Sequence, residues 1–273
     1  MELSDLVPFA HEGWWVTVFL VTLRIGAIFV LTPPFSHAAI PATVRVLFVF
    51  SLAVALSLAL PLPAPSMGVR GDISLLFAAA FSEVALGLAL GLGVQLAFAA
   101  CGFAGRLLDV QIGLGLVQVF DPATRGRSSA FASLFDQLAV LMFFLLSVHH
   151  VVLRGLAWSF ERFPPGQSMN LAQALAPLLK QVAAMYALGL ALAAPVVCFV
   201  LLTELALGIV AQSLPQMNML LIGMPVKIVA GLLALALWAP QMGGVLARIY
   251  ETIHATWSQV LASAPPRHAE ALG

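Results

Sequence analysis

The sequence predicts an all-α, polytopic membrane-type protein. It should have about six long, kinked apolar helices and a Gly-containing apolar loop after the third. Three observations predict this class. Hydrophobic residues make up 62% of the 273-residue chain and charged residues only 9%, against about 25% charged in soluble domains. Six apolar segments approach or exceed the roughly 20 residues that span a bilayer as helix. Five of these segments carry an ionisable residue near the middle, namely Arg24, Glu83, Asp136, Glu204 and Lys227. The whole chain, 1–273, is read as one domain with a short acidic N-terminus (1–13) and a more polar C-terminal tail (241–273).

The first segment, 14–31, follows a stretch holding Glu2, Asp5 and Glu12 but no Lys or Arg. A cleavable signal peptide needs a positive n-region and a small-residue cleavage site, so this segment is read as a retained helix. Thr32-Pro33-Pro34 ends it. The second, 42–60, starts beside Arg45, which can snorkel to a helix end, and stops at Pro61-Leu62-Pro63-Ala64-Pro65. The third, 73–100, contains Gly87, Gly91 and Gly93. The GxxxG spacing of the first two lets membrane helices approach closely. A nucleotide-binding reading would need a preceding strand, and none is predicted.

The fourth segment, 128–153, closes on His149-His150 and is followed by Pro164-Pro165-Gly166. The fifth, 178–211, ends at Ser213-Leu214-Pro215, and the sixth covers 217–239. Pro195, Pro225 and Pro240 are expected kink points, because proline removes a backbone donor and crowds the preceding turn. Glu83-Val-Ala-Leu-Gly87 echoes Glu204-Leu-Ala-Leu-Gly208. Chance in an Ala- and Leu-rich chain explains the echo best, and an inverted repeat is the sharper alternative. Arginines fall on both sides of the predicted spans, so the positive-inside rule assigns no orientation.

A charge at the bilayer centre costs roughly 2.5–3.5 kcal/mol even on lenient scales, and five facing lipid would cost on the order of 15 kcal/mol. That rivals the whole net stability of a domain, about 5–15 kcal/mol. These side chains must therefore look at protein or water. Three readings stand: pairing across helices (an acid with Arg24 or Lys227), docking onto neighbouring subunits, or an ion path. Pairing or docking is preferred, since three acids face three bases when Arg45 is counted. Net charge is zero, so nothing suggests nucleic-acid binding.

No catalytic, cofactor or metal constellation stands out. Cys101 and Cys198 lie in apolar runs without CxxC spacing and read as small hydrophobes, with a disulfide as the minor alternative. His149-His150 lacks an i, i+4 partner. His11-Glu12 lacks the second His of HExxH.

The least regular stretch follows Ala104-Gly105-Arg106-Leu107-Leu108-Asp109. It is Val110, Gln111, Ile112, Gly113, Leu114, Gly115, Leu116, Val117, Gln118, Val119 and Phe120, before Asp121-Pro122. Two glycines argue against regular helix, yet the run is too apolar for an exposed loop. Irregular backbone at membrane depth survives where protein covers it or where it lines a cavity, and apolar constrictions can close pores by dewetting. The run is either a seal or an interior-packed segment, such as a re-entrant loop or the end of the third helix.

Taken together, five pieces resemble the FliR family of flagellar and type III secretion export-apparatus proteins. They are Arg24; Glu83–Gly91 as E-x-x-x-G-x-x-x-G; Ala104-Gly105 through Asp109-x-Gln111-x-Gly113 to Asp121-Pro122; Ser159-Phe160-x-x-x-Pro164-x-Gly166; and Pro215-Gln216-Met217-Asn218 with Gly223-x-Pro225. The resemblance runs from about Leu23 to Pro240. Two positions depart from the family pattern: Gln212 stands where relatives commonly have Arg, and Arg106 where they often have an acid.

The resemblance implies a non-enzymatic, cofactor-free subunit of a helical export gate in the bacterial inner membrane, within the flagellar basal body. It implies FliP-like and FliQ-like partners, FlhB-like and FlhA-like neighbours, and unfolded proteins as cargo. It also implies that the chain sits largely lifted out of the bilayer within that assembly. Residues 110–120 map onto the family's pore-obstructing loop, and the five buried charges become assembly contacts. Alternatives are the injectisome homologue of the same subunit, a small-solute secondary transporter, and an intramembrane enzyme.

Overall fold

The computed structural model describes residues 12–36, 40–60, 62, 72–113, 130–167, 171–213 and 219–262. Among these the regular structure is all helical, without a strand. The helices are α1 (Glu12–Leu31), α2 (Pro33–Ser36), α3 (Ala42–Ala59), α4 (Ile73–Ile112), α5 (Ala130–Leu145), α6 (Val148–Arg162), α7 (Leu171–Ser213), α8 (Met219–Trp238) and α9 (Met242–Ala262). A 3₁₀ turn, Ala239–Gln241, lies between the last two. Five stretches are long and apolar enough to cross a membrane, or six if the bent pair α5 and α6 is one span.

Three features differ from the sequence reading. α4 runs on to Ile112, so Val110, Gln111 and Ile112 are helical and the turn starts at Gly113, whose φ is +92°. The fourth segment is two helices, α5 and α6, instead of one. The break is Ser147, a non-glycine residue at φ 55°, and no Pro or Gly marks it in the sequence. The tail beyond Gln241 carries a 21-residue helix. Its buried Leu246, Ile249, Tyr250, Ile253, Trp257, Val260 and Leu261 follow a helical period and form one apolar face. Of the three expected kink points, Pro195 and Pro225 lie inside α7 and α8, and Pro240 lies in the 3₁₀ turn.

The chain divides into two compact units. The first takes the described residues of Met1–Gln95, Ser147–Gln181 and Ile253–Gly273. Here α1 packs on α2 and α3, with the Phe29 ring 4.5 Å from Phe35 and 5.6 Å from Phe48. Thr17, Thr22 and Thr32 donate to carbonyls one turn back, which satisfies their hydroxyls inside an apolar helix. A Cβ on Gly87 would lie 2.6 Å from the Arg24 carbonyl oxygen, and one on Gly91 3.1 Å from the Ile28 Cα. The GxxxG pair is thus where α4 lies backbone to backbone against α1.

The second unit takes the described residues of Leu96–Leu146 and Val182–Thr252. Its core includes the rings of Phe98, Phe143 and Tyr250, with centroids 5.4–6.1 Å apart. The Tyr250 hydroxyl donates to the Ala139 carbonyl at 2.5 Å, as a buried phenol must find a partner. Trp238 Nε1 donates to the Leu192 carbonyl, joining α8 to α7. Cys101 is buried, Cys198 is exposed, and both are free thiols.

Candidate functional site

The Arg24 and Glu83 side chains are brought together at the heart of the first unit. Both are fully buried, and Arg24 Nε donates to a Glu83 carboxylate oxygen at 2.6 Å. One terminal nitrogen of Arg24 donates to the other Glu83 oxygen at 3.0 Å and to the Phe163 carbonyl at 2.8 Å. The second donates to the Ser159 carbonyl at 3.1 Å and to its hydroxyl at 3.3 Å. All five guanidinium protons are therefore used. The guanidinium carbon also lies 4.3 Å from the centroid of the Phe160 ring, within cation–π range.

Glu83 accepts a further bond from the Gly166 backbone N–H at 2.9 Å. The neighbouring Ser82 hydroxyl donates to the Gln167 carbonyl. The clasp therefore ties α1 and α4 to the end of α6 and the turn after it. It explains why Arg24, Glu83 and the Ser159-Phe160-x-x-x-Pro164-x-Gly166 piece occur in one chain. The first-unit pair is satisfied as a buried ion pair must be, by two-point geometry plus hydrogen bonds to the remaining atoms.

In the second unit, Asp109 is the carboxylate that sequence reasoning quoted in a motif but left out of the sheltered charges. It is 2% exposed. Its two oxygens accept the Phe131 and Ala132 backbone N–H groups at 3.1 and 2.8 Å. These are among the first donors of α5, which lack intrahelical partners. A Cβ on Gly105 would lie 2.7 Å from the Ala132 Cα, so the glycine lets α4 reach the start of α5. The two margins of residues 114–129 are thus fastened to each other. Of the predicted apolar run, Val110–Gly113 are described, while Leu114, Gly115, Leu116, Val117, Gln118, Val119 and Phe120 lie outside the described residues. The signal that could have found Asp109 is an acid embedded in an apolar helix end, the same criterion that singled out Glu83.

The remaining charges are less sheltered within this chain. Lys227 of α8 pairs with Glu204 of α7, and their side chains are 24% and 37% exposed. Asp136 is exposed on α5. A side chain at Gly102 would meet both the Asp136 carboxylate and the Arg106 guanidinium. Burial by the chain itself therefore applies to Arg24 and Glu83. For the other three, any full sheltering must come from outside it. Among the described residues no group of three His, Cys, Asp or Glu is placed to hold a metal.

Large apolar side chains stand exposed in helical rows. They include Ile73, Phe77 and Phe81 at 72–74% on α4, Leu202 and Leu205 on α7, and Leu233 and Leu237 on α8. Such surface marks a membrane or a protein interface.

The family described as bacterial export proteins, family 1, matches residues 15–253. The flagellar biosynthetic protein FliR of Bacillus subtilis is 33% identical over 249 residues, 89% of this chain and 93% of that protein. FliR of Caulobacter vibrioides is 30% identical, over 80% of this chain and 86% of its own length. The secretion system apparatus protein SsaT of Salmonella typhimurium is 30% identical over 58% of this chain and 61% of its own.

Proposed function

Because the chain belongs to the FliR family of bacterial export proteins, we propose that it is a subunit of the type III protein-export gate of the flagellar basal body. In this reading it sits in the inner membrane with FliP-like and FliQ-like subunits, next to FlhB-like and FlhA-like components. It helps form the pore through which unfolded flagellar proteins leave the cell. Its role is structural and not catalytic. The carrying observation is the family match across 15–253, nearly the whole chain.

The geometry supports this reading in two ways. Exposed apolar rows with half-exposed charges among them, Glu204, Lys227 and Asp136, suit helices that sister subunits cover. The Asp109 clamp, just before the run assigned to the seal, ties the end of α4 to the start of α5. In that assignment Val110, Gln111, Ile112, Gly113, Leu114, Gly115, Leu116, Val117, Gln118, Val119 and Phe120 obstruct the pore when no substrate is present, and Gly113 and Gly115 allow the run to swing aside. The similarity to SsaT favours one second reading, the corresponding subunit of an injectisome.

Two measurements test the proposal. The chain, co-expressed with FliP-like and FliQ-like partners, should purify with them and be unstable alone. Deleting Gly113–Gly115 in the assembled complex should raise ion leakage across the membrane. Unchanged leakage from a complete complex removes the sealing role, and a stable solitary chain removes the gate reading.

A further inference from the structure

The first unit holds a cavity of about 280 Å³ between α6 and α9, lined by Val151, Arg154, Gly155, Trp158, Ile253, His254 and Trp257. At roughly 30 Å³ per water in the liquid, it has room for about nine waters, or for a charged headgroup and a few methylenes. Val151, Arg154, Gly155 and Trp158 are spaced i, i+3, i+4, i+7, one face of α6.

The floor is rigid. A Cβ on Gly155 would run into the Trp257 ring, so the indole lies directly on the α6 backbone. Trp257 Nε1 is fixed by the Leu90 carbonyl at 2.9 Å, which leaves its carbon edge to face the cavity. The rim differs. Arg154 and His254 are exposed. Neither of them, nor the Trp158 indole N–H, makes a hydrogen bond or ion pair among the described residues. A permanent cation and two further donors without protein acceptors thus ring an apolar floor. No carboxylate lines the cavity.

We propose that this cavity binds the phosphate headgroup of an anionic phospholipid, with the first methylenes of its glycerol and acyl region on Val151, Ile253 and Trp257. Arg154 carries the charge recognition, since a guanidinium matches phosphate with paired donors. Trp158 and His254 complete the donor set. A lipid is favoured over a free anion because the floor is apolar and α9 belongs to a stretch apolar enough to cross a membrane. Tryptophan and arginine also concentrate at the membrane–water interface, and basic pockets between membrane helices take anionic headgroups. The inference concerns the chain's lipid contacts and does not depend on the export reading.

Native mass spectrometry of the delipidated full chain, purified with its partners, tests it. Phosphatidylglycerol, phosphatidylcholine of the same acyl chains, and inorganic phosphate are the three probes. The wild type should retain phosphatidylglycerol at least fivefold more than phosphatidylcholine and should not retain inorganic phosphate. Arg154→Gln should abolish that preference, Arg154→Lys should keep part of it, and Arg248→Gln, away from the cavity lining, should leave it unchanged. Brominated phosphatidylglycerol should quench less fluorescence in Trp158→Phe than in the wild type. Equal retention of the two lipids, or a preference unchanged by Arg154→Gln, overturns the proposal. So does a photocrosslinker at position 158 that captures a polypeptide instead of lipid. Should Arg154→Gln fail to accumulate, the wild-type lipid preference and the position 158 quenching decide the matter alone.

Discussion

Arg24 and Glu83 are 59 positions apart in the chain and meet at 2.6 Å with neither side chain exposed to solvent. Breaking a buried pair by removing one partner costs about 3–5 kcal/mol, because the other charge is left unpaired. Glu83→Gln and Arg24→Ala should each lower thermal stability in detergent by that order. Replacing both with apolar residues of similar volume, Arg24→Met with Glu83→Leu, should recover much of the loss. Arg24→Lys should fail to substitute, since an ammonium cannot supply five planar donors.

Gly87→Val should also destabilise the first unit. Its Cβ would lie 2.6 Å from backbone and 2.7 Å from the Ala27 Cβ, so α1 and α4 must separate. Overpacking of this kind costs about 1–3 kcal/mol or more. Gly208→Ala is the matched control: nothing lies within 4 Å, and a mid-helix glycine replaced by alanine should gain about 0.5–1 kcal/mol. Unfolding midpoints of the two variants should move in opposite directions.

Asp109→Ala should leave the Phe131 and Ala132 N–H groups without their acceptor. Loss of a capping side chain costs about 0.5–2 kcal/mol, and a buried unsatisfied donor adds to it. Hydrogen exchange should rise first at the start of α5. Asp109→Asn, which keeps an acceptor oxygen, should show a smaller change.

Glu204→Gln and Lys227→Met should barely alter the fold of the chain itself, because a half-exposed pair contributes about 0–1 kcal/mol. If partner subunits cover these residues and Asp136, the same substitutions should reduce co-purification of FliP-like and FliQ-like chains several-fold. Equal effects on chain and complex would show that the pair acts only within the chain.

Asp72, just before α4, is held below the ordinary carboxylate range. The Ser74 hydroxyl bond contributes most and the Ser74 backbone bond next. A lowered folded-state value means the cap is in place above the unfolded pKa of about 3.9 and is lost as pH falls through the folded value. Protection of the first α4 amides should therefore be flat from neutral pH down to about pH 4 and fall below it.

Much of this architecture was legible in the residues. Apolar runs bounded by Pro and Gly clusters placed α1, α3, α7 and α8 to within a turn or two, and the Gly87–Gly91 spacing named the α4 seam. The extension of α4 to Ile112 was hidden because Gly113 and Gly115 blur where a helix gives out. The tail helix α9 was hidden because Arg248, Glu251 and His254 drew attention from the apolar period beneath them. The break at Ser147 has no proline or glycine to announce it. Arg24's need for a partner could be read from its surroundings, but the choice of Glu83, Ser159 and Phe163 depends on how three helices cross. Asp109 shows the same limit: its acceptor role appears only once the start of α5 is beside it.

The clasp has an evolutionary consequence. Every proton of the Arg24 guanidinium and both oxygens of the Glu83 carboxylate are already committed, so neither residue has slack with which to accommodate a changed mate. A lineage that alters one must pass through a crippled ancestor or change the other in the same step. These two positions should therefore drift together across relatives, or stand still together.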